Sequence, residues 1–451
     1  MKDWSCNYHY NMTRHLSISN VLLGCLLLQA CSTSGPSGFF GKKTPHQIYG
    51  DRLTAAGLQE TSLGRQWFSA ATRSLETPLQ ITLPYKETGY FSANRPSATG
   101  MIFSARRGQK IYINIEKKPA AGFALYLDFL QPATSANNQP KVLASADTLL
   151  STLTYEVKND GQYQLRLQPE LLKGGAYTLI VTTGPSLAFP VAANVKSSIG
   201  SFWGVDRDNG SRKHEGIDIF APKRALLVAA AAGTITRVDE NILGGKVIFM
   251  RPEGKDYSLY YAHLDEQLAQ AGEVVQVGDT LGLVGNTGNA SSTLPHLHFG
   301  IYTSSGAVDP LPFVDQKIIA PPKITANIDH LDKLARTRKE VGLYTGPSAT
   351  STLLTKLATN TIEQIEAAAA GWYKVQLPNG IFGFIEADNV QLLVPLKSYD
   401  LTKTLQLLDA PEAMAPQVAE LKPGEKVQLL GKFGDYSLVK KNELVQGWIK
   451  L

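Results

Sequence analysis

Five residues of this 451-residue chain have types and spacings suited to chemistry: His214 and Asp218 in "HEGIDIFAP", His263 in "YYAHLD", and His296 and His298 in "SSTLPHLHFG". Imidazole nitrogen and carboxylate oxygen are both zinc donors, and a catalytic zinc site typically uses three protein ligands and leaves a fourth position for water. His214 and Asp218, with three residues between them, can meet one cation, and one histidine of the His296/His298 pair would complete the set. Glu215 follows His214 as in the H-E-x-x-H metalloprotease motif, but the fifth position is Asp218. That motif is therefore absent, and Glu215 is not assigned as its base. Taken singly, each histidine is more simply a surface or core residue. Jointly they carry more weight, because four of the chain's eight histidines gather in one block. The chemistry expected there is metal-assisted.

The elements that must position these groups are strands. Residues i and i+2 of a strand share a face, so His296, His298 and Gly300 are expected on one side and Leu297, Phe299 and Ile301 on the core side. Upstream, short alternating runs such as "KIYINIE", "FALYLDF" and "AYTLIVTT", separated by turn signals, predict a β-sandwich without histidines, a spacer or binding module. Before it, Leu53, Leu58, Leu63, Trp67 and Phe68 mark a weakly helical docking segment after a Gly/Pro/Ser-rich tether. Beyond the linker "KIIAPPKIT" the chain repeats itself at an offset of 64 residues. "LYTGP" at Leu343 recurs as "LLDAP" at Leu407, Leu357 as Leu421, and "GFI" at Gly383 as "GWI" at Gly447. The expected fold class is mainly β and multidomain. The net charge of +5 is mild and unclustered; it suits an anionic wall polymer, and no nucleic-acid partner is expected.

The N-terminus has the shape of a signal peptide: Arg14, an apolar run from Val21 to Leu28, then Ala30-Cys31 and small polar residues. Leu28-Gln29-Ala30-Cys31 resembles a bacterial lipobox, which implies cleavage before Cys31, lipid on that cysteine and a mature chain with no internal disulfide. Ser32 and Thr33, with no aspartate after Cys31, resemble the sorting default for the outer membrane of diderm bacteria. The expected location is thus the cell envelope, lipid-anchored in the outer membrane and facing the periplasm. The two repeat copies resemble bacterial SH3-like domains, modules that commonly hold cell-wall peptides. Trp372, Tyr373, Tyr436 and Trp448 would line a groove or fill a core.

The histidine block resembles lysostaphin/LytM-type zinc peptidases. "HEGIDIFAP", "AAGTITRV", "YYAHLD", "VQVGDTLGLVGNTGNASSTLPHLHFGI" and "VDPLPF" occur in that family's order over about residues 198 to 315. The resemblance implies one zinc ion on His214, Asp218 and His298, with His263 and His296 as catalytic histidines. It also implies peptidoglycan as substrate, cut in its cross-links or stems, with the D-alanyl to diaminopimelate bond expected in a diderm envelope. All five positions are filled, whereas some relatives lose them and act as silent activators of cell-wall amidases. That is the alternative reading. Two departures from the family pattern are Gly300, where glutamate is frequent, and "GGKVIF" in place of the usual glycine-rich turn. The expected organisation is a lipoprotein signal peptide over 1–30, tether and helical segment over 31–77, β-sandwich-like module over 78–195, LytM-type peptidase domain over 196–318, and SH3-like barrels over 335–395 and 396–451.

Overall fold

Along Tyr85–Phe91 every second side chain is buried, the period-two pattern of a strand with one face on a core. The structure, a computed structural model, describes residues 43–450 except 121, 136–137, 147–151 and 443. The expected signal peptide and Cys31 lie outside the described residues. Among the described residues no helix is long and apolar enough to cross a membrane.

In the N-terminal module one sheet runs in the spatial order Leu79–Gln80, Thr99–Ala105, Gly161–Pro169, Leu125–Gln131, Lys141–Ala146. A second sheet holds Tyr85–Phe91, Gly175–Pro185, Gln109–Lys118 and Thr152–Glu156. Phe103, Phe129 and Leu165 of the first pack against Ile111, Ile113 and Val181 of the second in one apolar core. Two helices dock on this first sheet, α1 (Pro45–Ala55) against Leu125–Gln131 and α2 (Ser62–Glu76) against Thr99–Ala105 and Gly161–Pro169. Thr44 and Gln47 form a reciprocal capping box at the start of α1, and Pro45 occupies the first turn, where its missing N–H costs nothing. Trp67 Nε1 donates to Pro169 O at 2.9 Å, Gln168 Nε2 donates to Trp67 O at 2.9 Å, and the His46 ring stacks on Trp67.

The second sheet does not stop at the module's edge. Thr88 and Gly89 pair antiparallel with Ala368 and Ala367, so the sheet continues through Ile362–Ala369, Trp372–Gln376, Phe382–Glu386, Val341–Tyr344 and Leu353–Leu357. A side chain at Gly89 would meet the Tyr177 ring at 2.6 Å, which is why the crossing strand is bare there. The sequence treats 78–195 and 335–395 as separate modules, whereas here they share a sheet and a core: Ala369 and Phe384 belong to the same apolar cluster as Phe129. The join is closed by a buried ion pair. Lys374 Nζ, 2% exposed, lies 2.9 and 3.1 Å from the two carboxylate oxygens of Glu87, which is fully buried, and it also donates to Thr99. The hydroxyls of Tyr85 and Tyr177 donate to Glu87 at 2.7 and 2.6 Å. Burial, then the Glu87 charge, pushes both phenols well above their ordinary range.

The 64-residue repeat is visible as strand order. Leu353–Leu357, Val341–Tyr344, Phe382–Glu386, Trp372–Gln376 and Ile362–Ala369 neighbour one another in that sequence. Gln417–Leu421, Leu405–Leu408, Val445–Lys450, Tyr436–Asn442 and Lys426–Phe433 do likewise in the second copy. The copies touch through Ile362, Leu430, Leu438 and Trp448, and Arg336 Nη1 donates to Leu430 O at 2.9 Å. Tyr373 and Trp448 are buried, and Trp372 packs on the sandwich core, so these aromatics fill interiors. Between module and repeat, Ser198–Ser201, Ile217–Phe220, His296–Thr303, Tyr257–Gln267, Gly245–Pro252, Gly233–Asn241 and Val274–Val275 form the main sheet of the histidine-rich block.

Two outcomes are expected. Lys374→Met leaves Glu87 buried without its cation and should destabilise the chain by about 3–5 kcal/mol, read from the midpoint of denaturant unfolding. His46 is pushed down from 6.5 to about 4 by burial and then by the Arg166 guanidinium. A histidine depressed in the folded state contributes stability that is complete above its unfolded value and is lost as pH falls through the folded one. The melting temperature should therefore drop between about pH 6.5 and pH 4, with a shallower drop in His46→Gln.

Candidate metal centre

The strand His296–Thr303 lies between Ile217–Phe220 and Tyr257–Gln267 and is antiparallel to both. Its register sets His298 opposite Asp218 on one side and opposite Ala262, the neighbour of His263, on the other. Leu297, Phe299 and Ile301 are fully buried in the core beneath, so the pleat turns His296 and His298 to the opposite face. His214 arrives from the hairpin formed by Asp206–Arg207 and Arg212–Lys213, and its backbone exchanges hydrogen bonds with Gly204 and Val205 at 2.9 Å.

These placements bring His214 Nε2, Asp218 Oδ1 and His298 Nδ1 together, each 3.0 Å from the other two. His214 Nδ1 lies 2.9 Å from Phe202 O. A carbonyl only accepts, so that nitrogen carries the proton and Nε2 presents a bare lone pair. Its contact with the Asp218 oxygen then sets lone pair against lone pair, which a shared cation turns from repulsive to attractive. Two imidazole nitrogens and one carboxylate oxygen are a donor set that zinc accepts, and these three residues fit such an ion.

The other two histidines are held in the same manner. His296 Nδ1 donates to Leu294 O at 2.8 Å and His263 Nδ1 donates to Thr287 O at 2.9 Å, which in the neutral imidazole makes Nε2 the acceptor. The rings of His263 and His296 stand 5.0 Å apart, and His296 Nε2 is 3.9 Å from Asp218 Oδ1. Burial, then the neighbouring His296 and His298, pushes His263 down to about 4, so it is a neutral base at neutral pH. Burial also lowers His298. His263 has φ of 65°, a left-handed conformation that is costly outside glycine. It sits where the ladder between Gly245–Pro252 and Tyr257–Gln267 shifts register, and its N–H donates to Gly244 O at 2.7 Å. The bulge turns its ring toward His296 and His298.

All five sequence-predicted residues line one cleft of about 410 Å³, with Tyr260, Tyr302 and Leu243 among its walls. Several glycines around the cleft make room for neighbouring groups. Gly300 leaves room for the Tyr302 ring, which a side chain there would meet at 2.8 Å. Gly288 of "VGNTG" passes so close to Gly245 that a side chain would lie 2.3 Å from its backbone nitrogen. Gly216 of "HEGID" lies under His298, whose ring a side chain would meet at 2.7 Å. Sequence reasoning missed Arg207, whose Nη2 donates to Asp218 Oδ2 at 2.6 Å and to Ser201 Oγ at 2.8 Å. It is one of several charges in "VDRDNGSRK", and nothing local distinguishes it. The three carbonyls that set the tautomers carry no sequence signal at all.

Residues 212–310 match the sequence profile of Peptidase family M23. The chain is 36% identical over 100 residues to an uncharacterized metalloprotease of Haemophilus influenzae, covering 22% of this chain and 21% of that one. It is 34% identical over 137 residues to the L-Ala–D-Glu endopeptidase of Bacillus subtilis, covering 28% and 42%. It is 26% identical over 194 residues to the murein hydrolase activator NlpD of Salmonella dublin, covering 41% and 50%. The aligned parts thus span half or less of these relatives' own lengths. The matched segment contains His214, Asp218, His263, His296 and His298, and over residues 212–310 this chain is a peptidase family M23 domain.

Proposed function

We propose that this chain is a zinc-dependent endopeptidase that hydrolyses peptide bonds in the cross-links or stems of peptidoglycan, with the D-alanyl to diaminopimelate bond as its target. The observation that carries this reading is the meeting of His214 Nε2, Asp218 Oδ1 and His298 Nδ1 at 3.0 Å, with two further imidazoles beside them whose Nδ1 atoms are tied to carbonyls. The substrate class is supported by the M23 match and by the B. subtilis relative, an endopeptidase by name.

Held by His214, Asp218 and His298, zinc supplies Lewis acidity toward the scissile carbonyl and the attacking water. The protein's own groups handle the proton. His263 and His296 each have Nδ1 tied to a carbonyl and present Nε2: one accepts the water's proton, stabilises the tetrahedral oxyanion while it carries that proton and passes it to the leaving amine, and the other orients the water by accepting its hydrogen bond. Fixed ring orientation means that little reorganisation accompanies this exchange.

A second reading, an activator of wall amidases with a silent site, is favoured by the 194-residue alignment with a murein hydrolase activator. The two are separated by incubating the purified chain with cross-linked muropeptides. Hydrolysis by the zinc-loaded chain, abolished by chelator and reduced at least ~10³-fold in His298→Ala, is the expected result. Full activity in His298→Ala would remove the ligand assignment, and stimulation of an added amidase without intrinsic cleavage would establish the activator.

We further propose that Cys31 carries the lipid and that the chain faces the periplasm from the outer membrane, a reading supported by the residues around that cysteine. Metabolic labelling with a radioactive fatty acid should mark the wild type and not Cys31→Ser, and the variant should leave the membrane fraction.

A further inference from the structure

We infer that Arg207 is a positioning residue that holds the Asp218 carboxylate to single-oxygen metal binding, a role that rests on the zinc reading above. The two oxygens of Asp218 have different surroundings. Oδ1 faces His214 and His298 at 3.0 Å each, while Oδ2 accepts from Arg207 Nη2 at 2.6 Å. Charge-assisted bonds of this length are among the stronger hydrogen bonds available to a side chain. Asp218 is buried, so without Arg207 its second oxygen would lose that charged partner inside the protein.

Arg207 is itself anchored. The same Nη2 donates to Ser201 Oγ at 2.8 Å, and Ser201 sits opposite Asp218 in the adjoining strand pair. The hairpin that carries Arg207 turns through Asn209 and Gly210, both with positive φ, and its return strand Arg212–Lys213 leads directly into His214. One hairpin therefore delivers a metal donor and the clamp on a second donor.

A carboxylate with one oxygen so engaged cannot swing to chelate through both. That keeps the protein's contribution to three donor atoms and leaves the remaining position for water or the scissile carbonyl. It also removes the rotamer freedom that a loose carboxylate would lose on binding the ion. Lysine in place of arginine keeps the charge but offers a flexible point donor, so it should restore the clamp only in part.

The test uses the full chain, its Arg207→Met and Arg207→Lys variants, zinc competed against a chelator, and cobalt(II) as a spectroscopic substitute. Arg207→Met should bind zinc about 10–100-fold more weakly, with partial recovery in Arg207→Lys. Its cobalt visible band should weaken as the freed second oxygen raises the coordination number. Equal zinc affinity and an unchanged cobalt spectrum in Arg207→Met overturn the role of Arg207 alone. A wild-type chain that takes up no zinc overturns the reading of the site and this role with it. If metal-free Arg207→Met melts well below wild type, Ser201→Ala, which removes the second anchor of Arg207, is measured in its place. A loss of at least threefold in zinc affinity then supports the role, and no loss overturns it.

Discussion

The register of three antiparallel strands is the constraint on which the rest of the site depends. His298 faces Asp218 across one ladder and Ala262 across the other, and this pairing alone brings groups 80 and 36 positions apart in the chain into one cleft. A slip of one residue in either ladder would exchange His298 for Leu297 or Phe299 on the open face and drive the imidazoles into an apolar core. What prevents the slip is the burial of Leu297, Phe299 and Ile301. Hydrophobic packing on one side of the sheet therefore fixes the donors on the other.

Backbone carbonyls then finish what register begins. Phe202, Leu294 and Thr287 each accept a hydrogen bond through their carbonyl oxygen from one Nδ1, which selects the tautomer, orients the ring and turns Nε2 inward. The backbone beside the His296 ring is itself paired, His296 N donating to Gly285 O at 3.0 Å. His263 reaches this geometry through a left-handed backbone at a bulge, a cost of about 1–3 kcal/mol that the surrounding sheet must offset. Strain at this residue, and regular strand geometry at His296 and His298, fits a division between a turned base and a pair presented directly by the pleat.

Outside the cleft, the molecule is more unified than a string of modules. The sheet of the N-terminal sandwich runs into the first repeat copy through Thr88 and Gly89, and Glu87, facing into the join, would be a buried unpaired charge without Lys374. Removing the repeats would open a sheet edge and orphan that carboxylate, so these parts act as one scaffold. The peptidase domain is tied to the same scaffold, with Arg106 pairing to Asp309 at 2.6 Å.

Much of this was open to inspection in the amino-acid order. The alternation in "HLHFGI", the histidine-poor background, the 64-residue repeat and the apolar face around Trp67 are local patterns, and local patterns survive in one dimension. They led to the mainly β class, to the strand at His296 and to the five residues that meet in the cleft. Pairing partners far apart in sequence leave no such trace. The continuity of sheet from Gly89 to Ala367, the inward turn of Glu87 toward Lys374, the clamp of Arg207 on Asp218 and the carbonyls that set each tautomer depend on distances closed only by folding. Residue type and spacing determined which groups were available for chemistry. Tertiary structure decided which oxygen and which nitrogens face one another, because hydrogen-bond direction and side-chain reach are properties of positions in space.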